Sequence, residues 1–111
     1  MRSTAREVRE IATDETRLVS VSFDGKLDSG ETLTGTPTVT ADALSGLVLS
    51  AKAVNSAAIT VNGRSVAIGE AVQFKAAASA ATAGEWDIDI TCVTTAGQTL
   101  FGRVTVEVVA S

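Results

Sequence analysis

The sequence predicts an all-β chain: an immunoglobulin-like antiparallel β-sandwich of about 7–8 strands with an N-terminal arm. Three observations point to an antiparallel sandwich or barrel, and a Trp86-led penultimate strand with its closing hairpin favours the immunoglobulin-like form. Short runs alternate apolar and polar residues, as in Val19, Val21 and Phe23 against Ser20 and Ser22. Gly, Asn, Asp and Ser break the chain between those runs, about once every twelve residues. After residue 16 no long stretch repeats apolar residues at helical spacing.

The chain has 111 residues, 45% of them apolar and 20% charged, with eighteen alanines and only four aromatics. That length buries enough surface to hold one core without metals or disulfides. It has no histidine and a single cysteine, Cys92. Imidazole-based acid–base, triad and metal chemistry is therefore excluded, as are an intrachain disulfide and a thiolate zinc cage. The longest uncharged stretch, Ile90 to Gly102, is thirteen residues. A spanning helix needs about 20, so no membrane association is expected. The N-terminus lacks the apolar segment of a signal peptide, and a lone thiol suits a reducing cytosol.

Composition divides the chain into an arm, 1–16, and a sandwich domain, 17–111. Thr4 and Glu7 have capping-box spacing, and Ala5, Val8, Ile11 and Ala12 follow on one side of a helix. Two or three turns do not stand alone in water, so the arm is expected to dock, as a short helix or extended. Arg2, Arg6, Val8, Arg9 and Ile11 are its candidate partner-docking residues, apolar anchors flanked by charges. Removing 1–16 is then expected to weaken assembly and leave the body folded.

In the body, Val19 to Phe23 is the first strand, and residues 24–31 form a polar loop with two glycines. Thr36 to Ala41 follows, and Pro37 places it at a sheet edge or strand start, because proline cannot donate to a ladder. Asp42 to Gly46 turns the chain. Leu47, Leu49, Ala51 and Ala53 then share one face. Asn62-Gly63 predicts a two-residue hairpin that pairs Val61 with Arg64, Ile59 with Val66 and Ala57 with Ile68. Val72, Phe74 and Ala76 alternate with Gln73 and Lys75, and 76–84 reads as a compact connection. Trp86, Ile88, Ile90 and Cys92 alternate with Asp87, Asp89 and Thr91. Thr95 to Gln98 turns into a last strand with Leu100, Val104, Val106 and Val108 inward.

Each chemical candidate has a simpler structural reading beside it. Asp87 and Asp89 form a carboxylate pair on one strand face, and read as solvated exterior opposite a Lys or Arg. Asp24, Asp28 and Glu31 are possible calcium ligands, but they lack the register of a calcium loop and suit turn chemistry. Cys92 and Trp86 share the phase of the core. No enzyme activity and no cofactor are expected. Residues 1–17 balance to zero charge, while 18–111 carry five basic and nine acidic residues and so the whole net charge of −4. An acidic, aromatic-poor body does not suit nucleic acid.

The last third carries a more specific signal. Thr82-Ala83-Gly84-Glu85-Trp86-Asp87-Ile88, then Val93-Thr94-Thr95-Ala96-Gly97-Gln98, then Arg103 and Val104 to Val108, resembles a family of small tailed-bacteriophage virion structural proteins. Phe23, Leu27 and Gly30-Glu31-Thr32-Leu33 are similar to that family's opening, so the resemblance spans roughly residues 17–110. The chain departs from the family in Trp86, where Tyr is commoner, and in alanines around Ser79, where glycines are usual.

The resemblance implies a non-enzymatic head decoration or cement subunit that stabilises the capsid. Its partners would be the major capsid protein or other virion subunits, with homo-oligomer or lattice contacts. Its location would be the virion, assembled in the host cytoplasm. The alternatives are a head–tail connector or tail subunit and, from another class, a bacterial Ig-like adhesion or carbohydrate-binding module.

Overall fold

The computed structural model describes residues 8–61, 63–78 and 81–110, with the backbone alone of Val8 and Arg9. Nine strands form among these residues: β1 (Val8–Ala12), β2 (Thr16–Ser22), β3 (Leu33–Ala41), β4 (Val48–Val54), β5 (Ile59–Val61), β6 (Arg64–Val66), β7 (Ala71–Ala77), β8 (Gly84–Thr94) and β9 (Thr99–Val109). The first sheet has the order β1-β9-β8-β3 and the second β2-β7-β4, while β5 and β6 pair only with each other. Every pairing is antiparallel except β1 with β9.

Alternation along the strands builds the core. Val19 and Val21 from β2 and Val72, Phe74 and Ala76 from β7 supply one layer. Val39, Ile88, Ile90, Cys92, Val104, Val106 and Val108 from β3, β8 and β9 supply the other. Each of these strands shows one buried and one more exposed face, so the sheets bury their apolar sides against each other as an all-β sandwich. A satellite cluster of Val61, Val66 and Ala71, with Ile59 packed on it, lies under the β5–β6 hairpin.

The predicted hairpin is present: Ile59 pairs with Val66, Thr60 with Ser65 and Val61 with Arg64, and Gly63 takes φ +76°. Asn62 lies outside the described residues. The pairing stops before Ala57 and Ile68, and Ile68 is exposed. Asn55 lies beside this end of the hairpin. It is buried, its amide donates to the carbonyls of Ala57 and Ala67, and its side-chain oxygen accepts from the N–H groups of Gly69, Glu70 and Ala71. The Ala57 carbonyl, which would have continued the ladder, thus meets the Asn55 amide. Gly69 takes φ +81°, and a Cβ there would come within 3.0 Å of the Thr32 Cβ, so that turn requires glycine.

Two strands contain irregularities. Pro37 lies in the edge strand β3, as predicted, within a register shift between Thr34 and Thr38. In β4 the register jumps from Ser50 opposite Lys75 to Ala53 opposite Gln73. One extra residue is accommodated there, and Ala51 has φ +54°. The expected face of Leu47, Leu49, Ala51 and Ala53 is therefore corrected. Leu47 and Leu49 pack on the core, but beyond the bulge the phase reverses, so that Val54 packs inward and Ala53 is exposed.

At its N-terminal end the described chain docks on the sandwich itself. Val8–Ala12 is a strand, the extended of the two forms expected for the arm, and it runs parallel to β9 from Val8 beside Thr105 to Ala12 beside Val109. Ile11 pairs with Val108, and at 1% exposure it is part of the core. Among the described residues, packing of the sandwich thus includes β1. Thr4, Ala5 and Glu7, which carry the capping-box reading, lie outside the described residues.

Candidate interaction site

The β8–β9 ladder is the longest in the molecule and runs from Gly84 opposite Val108 to Val93 opposite Thr99. Its outer face carries Asp87, Asp89, Arg103 and Thr105, since these residues are out of phase with the buried Ile88, Ile90, Val104 and Val106. The Arg103 Nε donates to Asp89 Oδ1 at 2.7 Å and stands 3.9 Å from Asp87 Oδ2. The Thr105 hydroxyl donates to Asp87 Oδ1 at 2.9 Å, which satisfies a hydroxyl that is itself buried. The bond to Asp89, followed by the charge of Asp89 and then of Asp87, pushes the guanidinium pKa above its ordinary value. The Arg103 guanidinium also lies 5.6 Å from the centre of the Phe101 ring. The two aspartates are thus held by a facing cation and a hydroxyl.

An open groove beside this face is lined by Thr40, Ala41, Asp42, Glu85, Trp86, Asp87, Asp89 and Thr105. Four of those side chains are carboxylates, and Arg103 is the cation set against them. Trp86 is half-buried at the groove end, and its indole N–H donates to the Thr82 carbonyl at 2.8 Å. The groove offers negative charge and hydrogen-bond acceptors, which suits a cationic surface. Among the described residues no group of three or more carboxylates or thiols is arranged to hold a metal ion.

The carboxylates of the 24–31 loop act within the fold. Asp24 accepts from the Ser22 hydroxyl and pairs with Arg64 at 3.0 Å, which ties the β5–β6 hairpin to the loop. Glu31 is buried, and it accepts the Thr94 hydroxyl and the Asp28 N–H. The Lys26 ammonium donates to the Phe101 carbonyl. Cys92 is buried beside β9, and burial pushes its thiol pKa up to about 11.

Of the five arm residues singled out in the sequence, Arg2 and Arg6 lie outside the described residues. The backbones of Val8 and Arg9 are in β1, and Ile11 is an anchor of this chain's own core. The exposed apolar side chains lie elsewhere. Leu18 and Val48 lie on opposite sides of β7, paired with Lys75 and Ala77, and Leu44 is 77% exposed on the turn after β3. Sequence reasoning did not single out Asn55, whose only local signal is a turn-forming residue after an apolar run. No helix among the described residues is long and apolar enough to cross a membrane. No protein-family model matches the chain. No curated protein matches it significantly.

Proposed function

We propose that this chain is a non-enzymatic structural subunit of a tailed-bacteriophage virion, a head decoration or cement protein that binds the capsid lattice. The observation that carries the reading is the closing hairpin. The segments that resemble phage virion proteins, 82–88, 93–98 and 103–108, fall on β8, β9 and the connections flanking β8. There Trp86 pairs with Val106, Ile88 with Val104 and Val93 with Thr99. The resemblance thus follows one paired unit that supplies a large part of the core.

The strand order supports the finer, immunoglobulin-like reading. A sheet ordered β9-β8-β3 faces one ordered β2-β7-β4, and a first strand runs parallel to the last. The surface offers contacts that a lattice subunit would use: an acidic groove on one sheet suits a cationic partner surface. Leu18 and Val48 give the other sheet apolar contact points.

The test is quantitative mass spectrometry of particles purified from cells that produce the protein. A copy number comparable to that of the major capsid protein is expected. A ring-sized copy number would instead favour the head–tail connector or tail subunit. Absence from the particles would overturn a virion role and favour the adhesion or carbohydrate-binding class.

A further inference from the structure

We propose that β1 is an exchangeable strand, and that its seat beside β9 is filled in an assembled form by β1 of a second copy of this chain. The inference rests on the geometry of β1 and its hinge, and does not depend on the virion reading.

Four features of the fold point to this. The first is position: among the described residues β1 lies at the end of its sheet, with β9 as its sole ladder partner. The second is the anchor, because Ile11 enters the core at the level of Val108 and defines the register of the seat. The third is the hinge. Only Thr13, Asp14 and Glu15 separate β1 in one sheet from β2 in the other. The fourth is the hinge conformation, since Asp14 has φ +73°, a left-handed turn that few residues other than Gly, Asn and Asp adopt.

The hinge is held shut by bonds that opening would break. The Glu15 N–H donates to the Ala12 carbonyl at 3.0 Å, and the Ala12 N–H donates to Glu15 Oε1 at 2.8 Å. Nothing beyond the hinge need change when the strand is exchanged. A second copy of Val8–Ala12 reproduces the ladder from Thr105 to Val109 and returns Ile11 to Val108. The balance between closed monomer and exchanged form is then set by the hinge and by concentration, and a hinge of three residues with a left-handed turn favours exchange. This is also why the occupant is another copy of this chain: the seat already matches this strand in register and anchor. Reciprocal exchange gives a closed dimer, and one-way exchange gives an open chain of subunits.

Crosslinking tests the proposal on full-length protein. Two variants, both carrying Cys92→Ala, bear Ile11→Cys in one case and Val108→Cys in the other. They are mixed, unfolded and refolded together at high concentration, and then oxidised. A disulfide-linked species of twice the chain mass is expected on a non-reducing gel. Free monomers only would overturn the proposal, provided that a single chain carrying both substitutions closes its own disulfide.

A second measurement avoids the core. Deleting Thr13 and Asp14 from the otherwise unaltered chain puts the intrachain seat out of reach. It is expected to shift the mass by light scattering from monomer to dimer or higher. Asp14→Gly, which eases the hinge, is expected to lower the dimer fraction that the unaltered chain forms when refolded at high concentration. A shortened chain that stays monomeric, folded or not, overturns the proposal.

Discussion

Asn55 and Ala71 are joined by a reciprocal pair of hydrogen bonds: the Asn55 N–H donates to the Ala71 carbonyl at 3.0 Å, and the Ala71 N–H donates to the Asn55 side-chain oxygen at 3.0 Å. The pair closes the end of β4 onto the start of β7. Because Asn55 is only 3% exposed, water cannot take its place. Replacing it removes the acceptor of the buried Ala71 N–H and the side-chain partners of four further backbone groups around it. Asn55→Ala is expected to cost about 2–4 kcal/mol in urea unfolding. Asn55→Asp keeps an acceptor but sets a charge against the carbonyls of Ala57 and Ala67, and is expected to destabilise as well.

Ile11 gives the N-terminal strand its hold on the core. Ile11→Ala is expected to lower stability by about 2–4 kcal/mol, read from the urea midpoint at unchanged slope. A chain starting at Val8 retains the whole β1–β9 register and is expected to keep the sandwich. Removal of 1–16 takes Ile11 with it. It is therefore expected to destabilise the body, contrary to the sequence-based expectation that the body would be unaffected.

Glu31 makes stability depend on acid. The Thr94 hydroxyl, and after it the Asp28 N–H, hold its carboxyl below the ordinary value of 4.5. A group lowered in the folded state stabilises fully above its unfolded-state pKa and loses that contribution as pH falls through the folded value. The melting temperature is thus expected to drop on acidification below the ordinary glutamate range. Glu31→Gln should flatten that drop while lowering the melting temperature at neutral pH. Glu15, lowered by the Ala12 N–H and by Arg17, acts with the same sign, so a variant lacking both carboxylates should show the shallower slope.

Cys92 is expected to be inert in the native protein. With its thiol pushed up to about 11 by burial, little thiolate is present at neutral pH. Labelling by an aromatic disulfide reagent should be slow in buffer and accelerate across the urea transition. Fast labelling without denaturant would show that β8 and β9 separate far more readily than this packing allows.

Several parts of the fold are legible in the sequence because their causes are local. Asn62-Gly63 announces the β5–β6 hairpin through turn chemistry, and Trp86 to Cys92 announces β8 through a period of two. Asp87 and Asp89 read correctly as a strand exterior, since Arg103 lies opposite on the next strand. The bulge at Ala51 was not legible: nothing in an alternating Leu-Ser-Ala-Lys-Ala run marks the residue at which the phase reverses.

By itself the sequence determined an all-β chain, most of its strands, the inward face of β2, β7, β8 and β9, and the acidic balance of the body. These follow from periodicity, turn residues and charge, which act over a few neighbouring residues. Only the tertiary structure decided that Val8–Ala12 is a strand, because its partner, β9, begins some ninety residues later in the chain. It also decided that Asn55 organises a turn and that Glu31 meets Thr94, contacts separated by up to 63 positions. Hydrogen bonds of that range depend on where the folded chain brings its segments together, and no local pattern encodes them.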